Sequence, residues 1–208
     1  MEPSLKTDGA KLYRIVEEYA GLGTHRSGTD VDRATVDWLS LHLKNRGAEV
    51  LRQDFSFECF DGASRVTLDG REIPSMPLYY EAVGEVSTTH IAIAEYRDGE
   101  HGSGLDESLE AMIESAVLAG YDALVIATHG CRGDLVAINC LPELRNRIPV
   151  VLVPGRFARD LRTKPVTVDY SAVTRAEVST NVTGCWGAGE PAPSVVITTP
   201  TSGWFTCA

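Results

Sequence analysis

The sequence predicts an α/β protein in which one compact α/β unit is inserted into another. Continuous apolar runs at 123–127 and 148–153 are typical of central strands that are covered on both faces. Before the first of these runs, residues 105–119 carry apolar side chains at helical spacing, which predicts a helix that ends at Gly120. Strands and helices alternate from about residue 62 to 170, which indicates a compact α/β unit.

The chain before this unit is predicted to form two helices and a strand. The first helix covers residues 9–20 and ends at Gly21 and Gly23. The second begins near Asp30, a preferred N-cap residue, and ends at Gly47. The apolar faces consist of Leu12, Ile15, Val16 and Tyr19 in the first helix and of Val31, Ala34, Trp38 and Leu41 in the second. A strand at 50–57 follows.

The middle of the chain begins with a predicted hairpin at 66–73, because Asp69-Gly70 suits a two-residue turn. Pro74 and Pro77 bracket an irregular passage. The remaining predicted elements are a strand at 89–96, a polar surface loop at 97–104, a short helix at 156–162, and strands at 166–170 and 174–182.

The last stretch, 194–198, is rich in β-branched residues and is predicted to be a buried strand. It leads into a polar loop at 199–204, and ligands of α/β proteins tend to lie at such strand ends. An inner strand would be flanked on both sides, so Trp204 and Phe205 are expected to need a covering partner.

Composition excludes some classes of partner. With 208 residues and a net charge of -10, the protein repels nucleic acid and anionic lipid. No apolar run approaches the roughly 20 residues that span a bilayer, and the first residues lack the apolar core of a secretory signal. Five scattered cysteines suggest reduced thiols and a cytoplasmic location, with a Cys131–Cys140 disulfide disfavoured.

Several short motifs occur in an order that resembles a known family. They are Arg26-Ser27-Gly28-Thr29, Gly47-Ala48-Glu49-Val50, Ala119-Gly120-Tyr121-Asp122-Ala123, Ile148-Pro149-Val150-Val151, Asn181-Val182 and Val195-Val196-Ile197. Together they resemble the amino-terminal part of the zinc-dependent aminopeptidase family that includes glutamate carboxypeptidase and the transferrin receptor. The resemblance implies a partial aminopeptidase-like α/β sheet formed by 1–60 and 173–208, truncated at its end, with a protease-associated-like α/β domain inserted at 61–172.

The chain departs from this family at the zinc site. In active members the last strand leads to His-x-Asp, which supplies two ligands of a paired zinc site. Pro200 and Ser202 occupy the corresponding positions here, and neither matches an imidazole or a carboxylate as a zinc ligand. The family's other ligands and its catalytic glutamate would lie past Ala208, so no metal-binding residue is assigned within this chain, and zinc is expected only if a missing half supplies its ligands.

Two stretches contain candidate site residues. The resemblance places His25 and Arg26 beside the substrate cleft, where an arginine could bind a carboxylate; the alternative is that this loop only joins two helices. Thr201 and Ser202 are the other candidate substrate-binding residues. Ser202 and Cys207 are nucleophile candidates for a hydrolase without metal, although no base is visible near them, and a helix-capping turn is the plainer interpretation.

A third stretch, around His129 and Cys131, follows a central strand and could suggest a thiol with its base. An ordinary surface loop is the preferred interpretation, since an i, i+2 pair on a glycine-rich loop guarantees no hydrogen bond. A zinc site made of these two residues and Cys140 would lack a fourth ligand.

The sequence therefore predicts a portion or subunit of a hydrolase that acts on peptide or amide bonds of small substrates, incomplete and inactive by itself. A second chain or a missing carboxyl-terminal half would complete it. The alternative is a non-enzymatic binding or scaffold module of the same architecture.

Overall fold

The computed structural model describes residues 8–97, 107–130, 132–138, 143–187 and 195–200. It confirms the predicted α/β class, with four α-helices and two four-stranded sheets in the part of the chain that it describes. The chain divides into two compact units. The first unit contains Met1–Cys59 and Ala176–Ala208, and the second contains Phe60–Arg175.

The helices and strands have the following bounds: α1 Gly9–Gly21, α2 Asp30–Lys44, β1 Glu49–Leu68, β2 Arg71–Ile73, β3 Met76–Pro77, β4 Gly84–Thr88, β5 Ile91–Tyr96, α3 Glu107–Leu118, β6 Ala123–Thr128, β7 Val150–Pro154, α4 Ala158–Leu161 and β8 Val166–Cys185. A 3-10 turn at Gly155–Phe157 precedes α4. The strand order is β2-β1-β8-β4 in the first sheet and β3-β7-β6-β5 in the second. No helix within the described ranges is long and apolar enough to cross a membrane.

Both helices of the first unit begin at side-chain caps. The Asp8 carboxylate accepts hydrogen bonds from the backbone N–H groups of Ala10 and Lys11, and the Thr29 hydroxyl accepts one from Asp32 N–H. Such caps satisfy backbone donors that have no partner inside the helix. The Asp30 N-cap expected from the sequence is therefore displaced by one residue, because Thr29 supplies the capping oxygen.

The second unit has a core on each side of its parallel strands. Every residue of β6 and β7 is buried, which confirms the predicted central strands. Alternate side chains point to opposite faces of a strand. Val125 and Val151 accordingly pack with residues of the first sheet, while Leu124 and Leu152 pack with Leu109 and Ile113 of α3.

The hairpin predicted at Asp69-Gly70 is present. Both residues have positive φ, at 51° and 75°, as the favoured two-residue hairpin turn requires. The strands around it are longer than predicted, since β1 and β8 each run for 20 residues where the sequence indicated separate shorter strands. The glycine at 62 does not end β1: a Cβ there would lie 2.6 Å from the Phe60 ring, so this residue allows close packing.

The final predicted strand is wrong for the residues that can be described. Residues 195–200 have no regular secondary structure, and Ser194 lies outside the described ranges. Val195, Val196 and Ile197 are 87%, 81% and 90% exposed. A β-branched run forms a strand only where a neighbouring strand pairs with it, and no described residue does so here. The predicted loop at 97–104 is described only at Arg97.

Candidate functional site

The loop between α1 and α2 is fixed by the buried side chain of His25. Its Nε2 atom lies 2.9 Å from the carbonyl oxygen of Tyr19, and its Nδ1 atom lies 2.7 Å from the Thr35 hydroxyl. The imidazole stacks on the Tyr19 ring at a centroid distance of 3.8 Å, and burial raises the pKa of the Tyr19 phenol. Because a carbonyl can only accept, Nε2 carries a proton. These contacts position the loop, and the substrate-binding role assigned to His25 stays a prediction.

A buried carboxylate fixes the other end of this loop. Asp32 Oδ2 accepts hydrogen bonds from Gly28 N–H at 2.9 Å and from the Ser179 hydroxyl at 2.7 Å. The Gly28 carbonyl oxygen in turn accepts a bond from Arg33 Nη1 at 3.1 Å. The loop is thereby tied both to the first turn of α2 and to β8, which suits a rigid wall of a binding site.

Arg26 lies between these two anchors and is partly exposed. Its backbone N–H donates to the Thr24 carbonyl at 3.0 Å, and its own carbonyl accepts the Thr29 hydroxyl at 2.6 Å. The backbone of the candidate carboxylate-binding residue is therefore held in one conformation. Its contact with a substrate stays a prediction.

The other candidate site residues belong to the last stretch of the chain. Thr201, Ser202 and Cys207 lie outside the described residues, as do Cys131, Cys140, Trp204 and Phe205. Pro200 is described, and it has no side-chain donor for a metal. Within the described ranges, no group of three or more His, Cys, Asp or Glu side chains is placed so that it could hold a metal ion. The described residues therefore hold no paired zinc site, and the lack of zinc ligands in the rest of the chain stays a prediction.

Sequence reasoning missed a contact at the edge of the second sheet. His129, which follows β6, has Nε2 at 2.9 Å from Glu95 Oε2 at the end of β5. Arg162 lies 2.8 Å from the other oxygen of the same carboxylate. The partner of His129 is therefore 34 residues earlier in the chain. Pairing the ends of the two predicted strands could have found it.

An open depression lies on the first sheet, in the part of that sheet that belongs to the second unit. Its lining residues are Ala63, Ser64, Arg65, Glu85, Val86, Ser87, Asp169, Tyr170 and Ser171. A hydrogen bond from Ser87, and a smaller contribution from the Arg65 hydrogen bond, lower the pKa of Asp169. Burial, and secondarily the Glu81 charge, raises the pKa of the Tyr170 phenol, which donates to the Ala82 carbonyl at 2.6 Å. Among the polar side chains of this depression, those of Arg65 and Ser87 both donate hydrogen bonds to Asp169.

Comparison with known proteins finds similarity in the fold. No protein-family model matches the chain, and no curated protein sequence matches it. An aminopeptidase from an Aneurinibacillus species is 15% identical, with a TM-score of 0.52 over 86% of this chain and 48% of that one. A zinc aminopeptidase from Bacillus subtilis is 16% identical, with a TM-score of 0.59 over 83% and 45%. A peptidase precursor from Shewanella amazonensis is 16% identical, with a TM-score of 0.59 over 82% and 49%.

These similarities show an aminopeptidase-like fold. The chain spans about half the length of each of these solved structures, at 45–49%. At 15–16% identity the likeness concerns the path of the backbone, since residues that perform chemistry are carried by the site and not by the fold.

Proposed function

We propose that this chain is a portion or a subunit of an aminopeptidase-like hydrolase that cleaves peptide or amide bonds. The observation that carries the proposal is the likeness to aminopeptidases over 82–86% of the chain. In this proposal the first unit is part of the catalytic body. The second unit corresponds to an inserted protease-associated-like domain, for which the sequence suggests the bounds 61–172.

Exposed apolar side chains in the first unit support the incompleteness of the chain. In α1 no residue is buried, and Leu12 and Val16 of its apolar face are 51% and 59% exposed. The apolar run Val195-Val196-Ile197 is more exposed still. Clustered apolar surface is characteristic of a face that another element covers. A carboxyl-terminal half or a second chain would cover it and would complete the site.

This carboxyl-terminal half or second chain would also have to supply any zinc ligands. Arg26 on its fixed loop would then bind the carboxylate of a small peptide or amide substrate, with Thr201 and Ser202 as further contacts. If the complete assembly hydrolyses amides without metal, Ser202 or Cys207 becomes the nucleophile candidate. A cytoplasmic location belongs to this proposal and rests on the scattered cysteines alone.

A non-enzymatic binding or scaffold module is the alternative. Proline at position 200, where active members of the resembling family have a metal ligand, favours it. The same aminopeptidase-like body would then present its surfaces to a partner and would catalyse nothing.

The incompleteness is tested on the isolated chain by size-exclusion chromatography with light scattering and by binding of a dye that reports exposed apolar surface. We expect self-association or dye binding, and we expect both to fall in a Leu12→Gln, Val16→Gln variant. Leu118→Gln is the matched control, because Leu118 is 88% exposed on a helix of the second unit. A stable wild-type monomer that binds no dye would contradict the incompleteness.

The activity is tested on the complete assembly with a panel of aminoacyl anilides and with elemental analysis. Turnover with bound metal supports the hydrolase, whereas no metal and no turnover supports the scaffold. Metal-free turnover calls for Ser202→Ala and Cys207→Ala, and the variant that loses activity identifies the nucleophile.

A further inference from the structure

The carboxyl ends of three parallel strands meet at one edge of the second sheet. Tyr96 of β5 is in register with Thr128 of β6, which is in register with Pro154 of β7. In open α/β sheets, the space beyond the carboxyl ends of the strands is where ligands commonly bind. This edge belongs entirely to the second unit and has no part in the proposed hydrolytic site.

Three polar side chains converge at this edge. The Glu95 carboxylate bonds to His129 through one oxygen at 2.9 Å and to Arg162 through the other at 2.8 Å. His129 and Glu95 are partly buried, whereas the Arg162 side chain is more than half exposed. One carboxylate therefore pairs with two groups that could otherwise bind an anion.

The backbone near His129 leaves the space that its imidazole ring occupies. A Cβ atom on Gly155 would lie 2.6 Å from His129 Nδ1, so no other residue at 155 leaves room for the ring. The adjacent turn is fixed as well, since Arg156 N–H donates to the Gly133 carbonyl at 3.2 Å. A side chain seated in this way is preorganised, which reduces the entropy lost when a ligand binds.

Three exposed arginines follow β7 in the sequence. They are Arg156, Arg159 and Arg162, which lie in the 3-10 turn, in α4 and just after it. Arg156 pairs with Asp134 at 2.6 Å, and Arg159 forms no ion pair within the described ranges. Asp134 and Glu95 neutralise two of these arginines, so Arg159 is the one whose charge attracts an anion to this segment.

We propose that this edge is a binding site for a ligand that carries a carboxylate or phosphate group. The ligand anion takes the place of the Glu95 carboxylate on His129 and Arg162, and Arg159 adds to the attraction. Glu95 thus acts as an internal anion that competes with the ligand for the same two donors. The site is independent of the proposed hydrolase activity.

The test is titration of the full chain with inorganic phosphate and, separately, with glutarate, at constant ionic strength and followed by amide NMR. We expect shifts that map to residues around 95, 129 and 155–162. Glu95→Gln removes the competing negative charge and one of the two acceptor oxygens, so it should tighten binding, whereas Arg162→Gln should weaken it about tenfold. The stronger of the two probes identifies phosphate or carboxylate as the preferred group.

Two further variants keep the outcome decisive. Arg159→Gln removes a charge without breaking an ion pair, so it should weaken binding even if Glu95→Gln or Arg162→Gln fails to fold. Arg14→Gln removes the same charge from exposed α1 and should change nothing. Equal weakening by Arg14→Gln, or saturable binding of neither probe, overturns the proposal. So does unchanged affinity in every folded variant at this edge.

Discussion

The Asp32 carboxylate accepts a hydrogen bond of 2.7 Å from the Ser179 hydroxyl, although the two residues are 147 positions apart in the sequence. Asp32 lies in the first turn of α2 and Ser179 lies on β8, and both side chains are buried. The same carboxylate oxygen accepts Gly28 N–H. This contact holds the chain segments at the two ends of the first unit together, and it fixes the loop that carries Arg26.

Replacing Asp32 should destabilise the first unit strongly. Asp32→Ala leaves the Ser179 hydroxyl and the Gly28 N–H buried without an acceptor, which should cost about 2–3 kcal/mol of unfolding free energy. Ser179→Ala removes a single donor and should cost about 1 kcal/mol. All three tryptophans, at 38, 186 and 204, belong to the first unit, so tryptophan fluorescence in urea reports on it selectively.

Asp30→Ala is the matched control for this pair, because Asp30 begins the same helix but is almost fully exposed. It should change the unfolding free energy by less than about 1 kcal/mol. Equal losses in Asp30→Ala and Asp32→Ala would show that the buried contact contributes nothing beyond charge at the start of α2.

Gly28→Ala should destabilise the first unit for two reasons. The backbone at Gly28 has a φ of 79°, and a Cβ would lie 2.9 Å from the Glu177 Cβ atom. Gly47 is a close control, since its φ is 78° and a Cβ there would meet nothing within 4 Å. Gly47→Ala should cost about 1–2 kcal/mol from backbone conformation alone. Gly28→Ala should cost measurably more in the same urea titration, and equal values would refute close packing at this turn.

Glu81 should contribute more than its neighbour Glu110 to the stability of the second unit, because Glu81 is more deeply buried. Glu81 is 1% exposed and accepts two bonds from Arg147, at 3.0 and 2.9 Å, while the Glu110 side chain is 28% exposed. Removing one charge of a buried pair leaves the other uncompensated, so Glu81→Gln should cost about 3 kcal/mol. Glu110→Gln should cost about 1 kcal/mol or less.

This difference is measured by hydrogen exchange of the β6 and β7 amides, because the second unit contains no tryptophan. Exchange should accelerate more in Glu81→Gln than in Glu110→Gln, with little change in tryptophan fluorescence of the first unit. The reverse order would mean that burial does not control the strength of this charged cluster.

Local sequence patterns predicted the helices and strands that carry their own pattern of apolar residues. The apolar run at 123–127 and the periodic helix before it carry this information locally. The exposed run at 195–197 shows the limit, because a strand also needs a neighbouring strand that the local pattern cannot supply. The Glu95–His129 and Asp32–Ser179 contacts join distant segments, so they follow from the packing of those segments and not from spacing along the chain.

Acid should weaken the contact between Ser87, Arg65 and Asp169. Hydrogen bonds from Ser87 and Arg65 lower the Asp169 pKa in the folded protein below its usual value of 3.8. A carboxyl group with a lowered folded-state pKa stabilises the protein above its unfolded pKa, and this contribution is lost as the pH falls through the folded pKa. Carboxyl carbon NMR should therefore give a midpoint for Asp169 below 3.8 in the wild-type protein.

Ser87→Ala and Arg65→Gln should each raise this midpoint, because the Ser87 hydrogen bond is the largest single cause of the shift and Arg65 contributes both a hydrogen bond and its charge. Ser171→Ala is the control, since Ser171 lines the same depression and makes no hydrogen bond to Asp169. The stability advantage of wild type over Asp169→Asn should be constant above about pH 5 and should vanish below the folded midpoint. An Asp169 midpoint that none of these substitutions moves would show that solvent alone sets its charge.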